Sequence, residues 1–76
     1  MVLFDIGGVN VDFDLSVVGS KILAVRNSKN ITQKEISAAV GISQPTYSNL
    51  ESGFYDIPIS VLVRLCNYLD ISVQWL

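Results

Sequence analysis

Hydrophobic and polar residues alternate at two different periods along this chain, and the period changes near residue 14. Residues 2–13 alternate at period two on both sides of Gly7-Gly8, which is typical of two short strands joined by a two-residue turn. Beyond residue 15, apolar residues recur at the spacing of one helix face. The pattern therefore predicts an N-terminal β-hairpin extension at residues 1–14 and a helical domain at residues 15–76.

The predicted hairpin has one apolar face. Folding the chain at the glycines pairs residues 2 with 13, 4 with 11 and 6 with 9, and alternate side chains of a strand share a face. An isolated two-stranded hairpin is marginally stable in water, so this face must cover something. Two partners fit: the helical body of the same chain, or the hairpin of a second copy. In the second case the candidate dimer interface is Val2, Phe4, Ile6, Val9, Val11 and Phe13.

Four helices and a last helical turn are predicted downstream. The first runs from Leu15 or Ser16 to Asn27, with Asp14 or Ser16 as its cap. The fourth starts near Ser60 and has a core stripe at i, i+3, i+4 and i+7. That stripe consists of Leu62, Leu65, Cys66 and Leu69.

The most specific pattern lies between these helices, in residues 32–53. Thr32, followed three residues later by Glu35, is a capping box that satisfies free N–H groups at a helix start. Gly41 stands where a helix end favours positive φ, and Ser43 can cap the next helix. Two short helices at this spacing form a helix-turn-helix, whose second helix can enter a DNA major groove. The first of the two has an apolar face formed by Ile36, Ala39 and Val40.

The second helix of this unit carries the candidate base contacts. On a 3.6-residue period, Tyr47 and Leu50 point one way while Gln44 and Asn49 lie toward the other. Gln and Asn amides can pair with the N6/N7 edge of adenine, and Pro45 can contact a thymine methyl. The alternative is that these are merely soluble surface residues. The two successive caps favour base contact.

The charge of the chain limits its affinity for phosphate. The formal net charge is −2, which is not expected of a nucleic-acid-binding protein. The first 16 residues hold three acidic residues and no basic one, whereas residues 17–53 hold four basic and two acidic residues. A few phosphate contacts are therefore expected, but strong non-specific binding is not. Gln33 and Lys34 are candidates because they open a helix whose free N–H groups attract phosphate; the alternative is a solvated first turn.

Several other classes of protein are disfavoured. The chain has no histidine and no cysteine or carboxylate cluster at metal-ligand spacing, so neither an enzyme nor a bound cofactor or metal is expected. No apolar run has a membrane-spanning length and nothing resembles a signal peptide. The single cysteine fits a cytoplasmic location. Cys66 is interpreted as a core residue, with a redox-active thiol as the alternative.

At these residues the chain resembles the lambda-repressor-like helix-turn-helix family, also called the Cro/C1 or XRE type. The resemblance runs from about Val18 to Leu76. The matching pieces are Val18-Gly19-x-x-Ile22-x-x-x-Arg26, Thr32-Gln33-x-Glu35, Gly41-Ile42-Ser43-Gln44, Ser48-x-x-Glu51-x-Gly53, Pro58 and Leu62-x-x-Leu65-Cys66-x-x-Leu69 with Ile71-Ser72. It implies a mainly α fold, a compact bundle of four to five helices, which the hairpin precedes in this chain.

The resemblance also implies roles for individual residues. Arg26 would form a structural ion pair with Glu51, and Tyr47 would replace a core aliphatic residue, mostly buried with its hydroxyl at the rim. The implied base-reading residues are Gln44, Pro45 and Asn49. The resemblance implies phosphate contacts from Gln33, Ser43 and Thr46. The helix-start argument adds Lys34, and a hydroxyl donor just after the second helix of the helix-turn-helix adds Tyr55. The candidate phosphate contacts are therefore Gln33, Lys34, Ser43, Thr46 and Tyr55.

These features predict a cytoplasmic, dimeric, DNA-binding transcriptional regulator, a repressor of phage or mobile-element type that binds a near-palindromic operator. The rival interpretation is an antitoxin or antirepressor-like module that keeps the fold and binds another protein. The acidic hairpin motivates the rival, as does Phe54-Tyr55-Asp56, which stands where the family tends to have basic or small polar residues. The sequence does not decide whether Phe54 is buried or exposed.

Overall fold

Two short strands and five helical segments make up the chain in a computed structural model, which describes the backbone of residues 2–6 and 9–76 and the side chains of residues 14–76. The strands are β1 (Val2–Ile6) and β2 (Val9–Phe13). The helices are α1 (Leu15–Ser28), α2 (Gln33–Val40), α3 (Gln44–Glu51) and α4 (Ile59–Leu69), followed by a 3₁₀ turn at Val73–Trp75. The helical part is therefore mainly α, with four helices and a final turn.

The two strands pair in antiparallel fashion, with Val2 opposite Phe13 and Ile6 opposite Val9. The Gly7-Gly8 turn and the side chains of the strands lie outside the described residues. The shared apolar face, the dimer interface and the division at residue 14 stay predictions for that reason.

Local capping sets the ends of the helices. Asp14, rather than Ser16, caps α1: its carboxylate accepts hydrogen bonds from the Ser16 N–H at 3.0 Å and the Ser16 hydroxyl at 2.7 Å. These bonds hold the pKa of Asp14 below its usual value. The Ser72 hydroxyl accepts from the Trp75 N–H and caps the final turn. These helix starts follow from short polar side chains that satisfy backbone N–H groups within three residues.

The core lies between the four helices. The predicted stripe of α4 is confirmed, because Leu62, Leu65, Cys66 and Leu69 are all buried. Burial raises the pKa of the Cys66 thiol, which supports its interpretation as a core residue rather than a reactive one. The remaining buried apolar residues are Val18, Ile22, Ile36, Val40, Tyr47, Leu50, Ile57 and Val61.

The prediction for the inner face of α2 was wrong at one position. Ile36 and Val40 are buried as expected, but Ala39 is exposed and Ser37 is buried instead. Helix α2 contacts both α3 and α4, so the centre of its buried face is rotated toward Ser37. The Ser37 hydroxyl donates to the Lys34 carbonyl at 3.1 Å, which satisfies the buried hydroxyl.

Candidate nucleic-acid interface

Helices α2 and α3, with the turn between them, form the helix-turn-helix that the sequence predicts. The Thr32 hydroxyl accepts from the Glu35 N–H and donates to the Glu35 carboxylate, both at 3.1 Å. Gly41 ends α2 with a φ of 78°, in the left-handed region where a side chain would be strained. Ser43 then caps α3 by accepting from the Thr46 N–H at 3.2 Å. These local bonds fix both ends of the turn and so the position of α3.

The outer face of α3 is uncharged. Gln44, Pro45 and Asn49 are exposed, while Tyr47 and Leu50 on the opposite face have no exposed surface. The only charged residue in the helix is Glu51, and it is buried. The three candidate base-reading residues therefore share the accessible face. Their contact with bases stays a prediction.

The five candidate phosphate contacts differ in how free their side chains are. Lys34 is exposed, and no hydrogen bond or ion pair joins its side chain to another residue among residues 14–76. The Ser43 and Thr46 hydroxyls lie 2.7 Å apart, so at most one of them donates to the other while the second can donate outward. Tyr55 is half-buried and packs against the core. Gln33 is half-buried, and its side chain is bound to Glu51.

Glu51 joins three helices through its carboxylate. Arg26 of α1 donates from Nε to Oε2 at 2.6 Å and from Nη2 to Oε1 at 3.3 Å, which forms the ion pair. Tyr47 of α3 donates its hydroxyl to Oε2 at 2.6 Å, and Gln33 of α2 donates from Nε2 to Oε1 at 2.8 Å. Arg26 also donates from Nη1 to the Ile31 carbonyl at 2.8 Å. We call these residues, Arg26, Gln33, Tyr47 and Glu51, the carboxylate cluster.

The family resemblance implied the ion pair, but the sequence analysis missed the rest of the carboxylate cluster. The hydroxyl of Tyr47 was expected at the rim of the core. It lies in the protein interior instead, where it donates a hydrogen bond to Glu51. The available signal was the spacing, because residues 47 and 51 are four apart on one helix and face the same side. No such signal existed for Gln33, which lies 18 residues from Glu51.

The cluster keeps Glu51 ionised. Burial alone would raise the pKa of this carboxyl, but the hydrogen bonds from Arg26, Tyr47 and Gln33 outweigh it and hold the pKa below the usual value of 4.5. Burial and the bond to Glu51 raise the pKa of Tyr47, so the phenol stays protonated as a donor. The carboxylate therefore accepts hydrogen bonds at neutral pH.

We expect this pKa shift to make the fold sensitive to acid. Because the folded pKa of Glu51 is below its unfolded value, its contribution to stability is complete above the unfolded pKa and is lost as pH falls through the folded pKa. The urea midpoint should therefore stay level from about pH 7 to about pH 5 and fall below that. Asp14 shifts in the same direction, and Asp14→Asn, which keeps a capping oxygen, is the control. If Asp14→Asn abolished the fall, the helix cap and not Glu51 would be its cause.

The loop after α3 exposes a large aromatic side chain. Phe54 is 84% exposed, which decides the question that the sequence left open. Its N–H donates to the Asn49 carbonyl at 2.8 Å, and Gly53 before it has a φ of 83°. Phe54 is thus attached to a defined turn at the end of α3.

Among the described residues, no group of three or more His, Cys, Asp or Glu side chains could hold a metal ion. None of the described helices is long and apolar enough to cross a membrane.

Comparison with known proteins supports the local geometry. A family described as "Helix-turn-helix" (HTH_3) matches residues 22–76. The chain is 36% identical over 56 residues to the uncharacterized HTH-type transcriptional regulator y4dJ of Sinorhizobium fredii, which covers 74% of this chain and 73% of that protein. It is 31% identical over 51 residues to the uncharacterized HTH-type transcriptional regulator YqaE of Bacillus subtilis, which covers 67% of this chain and 44% of that protein. The chain thus spans less than half the length of the second relative.

A solved structure shows the same fold. The clp gene regulator ClgR from Corynebacterium glutamicum superposes with a TM-score of 0.77 at 25% identity, covering 83% of this chain and 67% of that chain. The superposition and the two sequence relatives agree with a helix-turn-helix formed by α2, the turn and α3.

Proposed function

Because the chain belongs to the XRE-type helix-turn-helix family of transcriptional regulators, whose members are non-enzymatic DNA-binding proteins, we propose that it is a sequence-specific repressor that binds a near-palindromic operator as a dimer. In this proposal α3 enters the major groove, and Gln44, Pro45 and Asn49 contact the bases. Two copies would bind half-sites about 34 Å apart, one helical turn of DNA. Repression would follow from occlusion of a promoter.

The observation that carries the proposal is the uncharged, exposed face of α3. Its amides and its proline have the chemistry that fits adenine edges and thymine methyl groups, whereas guanine is mostly read by Arg or Lys. The one charge of the helix is buried and paired with Arg26. We therefore propose that the positions under α3 are mainly A·T pairs.

The placement of the basic residues supports base reading over general attraction to phosphate. Of the five basic residues, Arg26 is paired with Glu51, Lys21 donates to the Trp75 carbonyl at 2.9 Å, and Arg64 donates to the Val40 carbonyl at 3.4 Å. Lys29 and Lys34 have no such contact among residues 14–76. With so few free cations, the proposed complex would show a shallow dependence of affinity on salt, because each neutralised phosphate adds about 0.9 to the logarithmic slope.

We expect Gln44→Ala and Asn49→Ala each to weaken operator binding by about 1–3 kcal/mol, or roughly 5- to 150-fold, because each removes a bidentate base contact. The operator would first be selected from fragmented genomic DNA with the wild-type protein, and affinities then measured by fluorescence anisotropy. Gln74→Ala and Asn67→Ala are matched controls, since they remove the same kinds of exposed side chain outside the helix-turn-helix.

The outcomes separate the two interpretations of the chain. Loss of affinity in the α3 variants alone would support base reading. If the folded wild-type protein enriched no site at low salt, the rival interpretation would gain support. The protein would then act on another protein, and the exposed Phe54 would be the first residue to test as a contact.

A further inference from the structure

The side chain of Gln33 connects the buried Glu51 carboxylate with the first turn of α2. Gln33 is the first residue of that helix and is half-buried, and its Nε2 lies 2.8 Å from Oε1 of Glu51. The first-turn N–H groups beside it have no partner within the helix and are the groups that would meet a DNA phosphate. The amide is therefore shared between the protein interior and the surface proposed to bind DNA.

The buried carboxylate decides how this amide is oriented. An ionised carboxylate only accepts hydrogen bonds, so the NH₂ group of Gln33, and not its carbonyl, must face Glu51. The other groups of the amide, one N–H and the carbonyl oxygen, are left for a ligand. Glu51 cannot rotate to release Gln33, because Arg26 binds both of its oxygens and Tyr47 binds Oε2.

We propose that Glu51 is a positioning residue for DNA binding, which acts by fixing the Gln33 amide so that its second N–H is ready to donate to a phosphate. This rests on the proposed function, since it supposes that Gln33 contacts the DNA backbone. The gain is preorganisation: a glutamine that is already held in one rotamer loses less side-chain entropy on binding. The Arg26–Glu51 ion pair then serves both the fold and the interface.

Glu51→Gln tests the proposal with little change of shape. The two shortest bonds, from Arg26 Nε and the Tyr47 hydroxyl, both go to the Oε2 position, so the carbonyl of the new glutamine should stay there, and only the longer Arg26 Nη2 bond to Oε1, at 3.3 Å, is lost. Its NH₂ group should then replace Oε1 and face Gln33, which must turn its own carbonyl inward to accept. The Gln33 amide would be reversed, and its nitrogen and oxygen would exchange places at the surface.

The experiment is a double-mutant cycle on operator affinity, with wild type, Glu51→Gln, Gln33→Ala and the double variant. All are measured below their unfolding transitions, with folding checked by circular dichroism. We expect Glu51→Gln to lower affinity about three- to tenfold when Gln33 is present, the range expected for one immobilised side chain, and to change nothing when it is alanine. The side-chain amide resonances of Gln33, assigned by their loss in Gln33→Ala, should shift in Glu51→Gln.

Three results would overturn the proposal: an equal loss of affinity in both backgrounds, an unchanged Gln33 resonance, or a Gln33→Ala variant that binds as tightly as wild type. Cys66→Ala is the control for destabilisation alone, because it weakens the core on α4 without touching the carboxylate cluster, and it should bind normally. If Glu51→Gln does not fold, Glu51→Asp gives the same cycle, since its shorter side chain keeps the charge and withdraws the oxygen from Gln33. Failure of the proposed function can be told apart from failure of this positioning role, because the wild-type protein would then select no operator.

Discussion

Glu51→Ala is expected to lower the free energy of unfolding by about 3–5 kcal/mol, because it leaves the mostly buried guanidinium of Arg26 without its counter-charge. Two further donors, the Tyr47 hydroxyl and the Gln33 amide, lose their acceptor as well. A domain of this size has about 4–11 kcal/mol of total stability, so the variant should lose roughly a quarter of that stability or more. Urea denaturation followed by circular dichroism measures the effect.

Two comparisons show whether the lost charge pair is the cause. Glu35→Ala removes an exposed glutamate that bonds only to the Thr32 cap, and it should cost far less. The double variant Arg26→Met/Glu51→Leu replaces both charges with apolar side chains, and should be more stable than Glu51→Ala alone. If the double variant were the less stable of the two, the ion pair itself and not the orphaned charge would account for the loss.

Gly19→Ala is expected to cost about 3 kcal/mol or more, the upper part of the range for overpacked cores. A Cβ at this position would clash with the Leu50 carbonyl oxygen and would lie 2.6 Å from that of Glu51. Both atoms belong to the backbone of α3, so no side-chain rotation relieves the contact and α3 must move away from α1. The small gain in helix propensity, about 1 kcal/mol, does not offset this.

The neighbouring residue gives a matched control for Gly19. Ser20→Ala places the same new side chain one residue later, on the exposed face of α1, and should change stability by less than about 0.5 kcal/mol. Gly19→Ala should also lower operator affinity at temperatures where it is folded, because α3 is displaced. A variant with normal unfolding and normal binding would show that α1 and α3 approach less closely than the distances above.

Glu51 and Gly19 both help to attach the short helix α3 to the rest of the domain. Helix α3 has only eight residues, too few to be stable alone in water. Its inner face is held by Tyr47 and Leu50 in the core, by the close approach at Gly19 and by the bonds to Glu51. The contacts that hold α3 in place therefore come from its inner face, and the side chains of its outer face remain available to contact bases.

The sequence by itself determined where α2 begins and ends, where α3 begins and which side of α3 is accessible. Thr32, Gly41 and Ser43 act on backbone groups within four residues of themselves, so their effect is visible in the order of residues. The separation of Tyr47 and Leu50 from Gln44 and Asn49 follows from helical period alone.

Only the tertiary structure decided how the carboxylate cluster is connected and which residue of α2 faces the core. Gln33 and Arg26 meet Glu51 across 18 and 25 residues, from three different helices. Their hydrogen bonds depend on the angle at which those helices pack, which no local pattern specifies. The burial of Ser37 instead of Ala39 on the inner face of α2 has the same cause. Helix α2 packs against two helices at once, and these contacts determine its rotation more strongly than its own apolar stripe does.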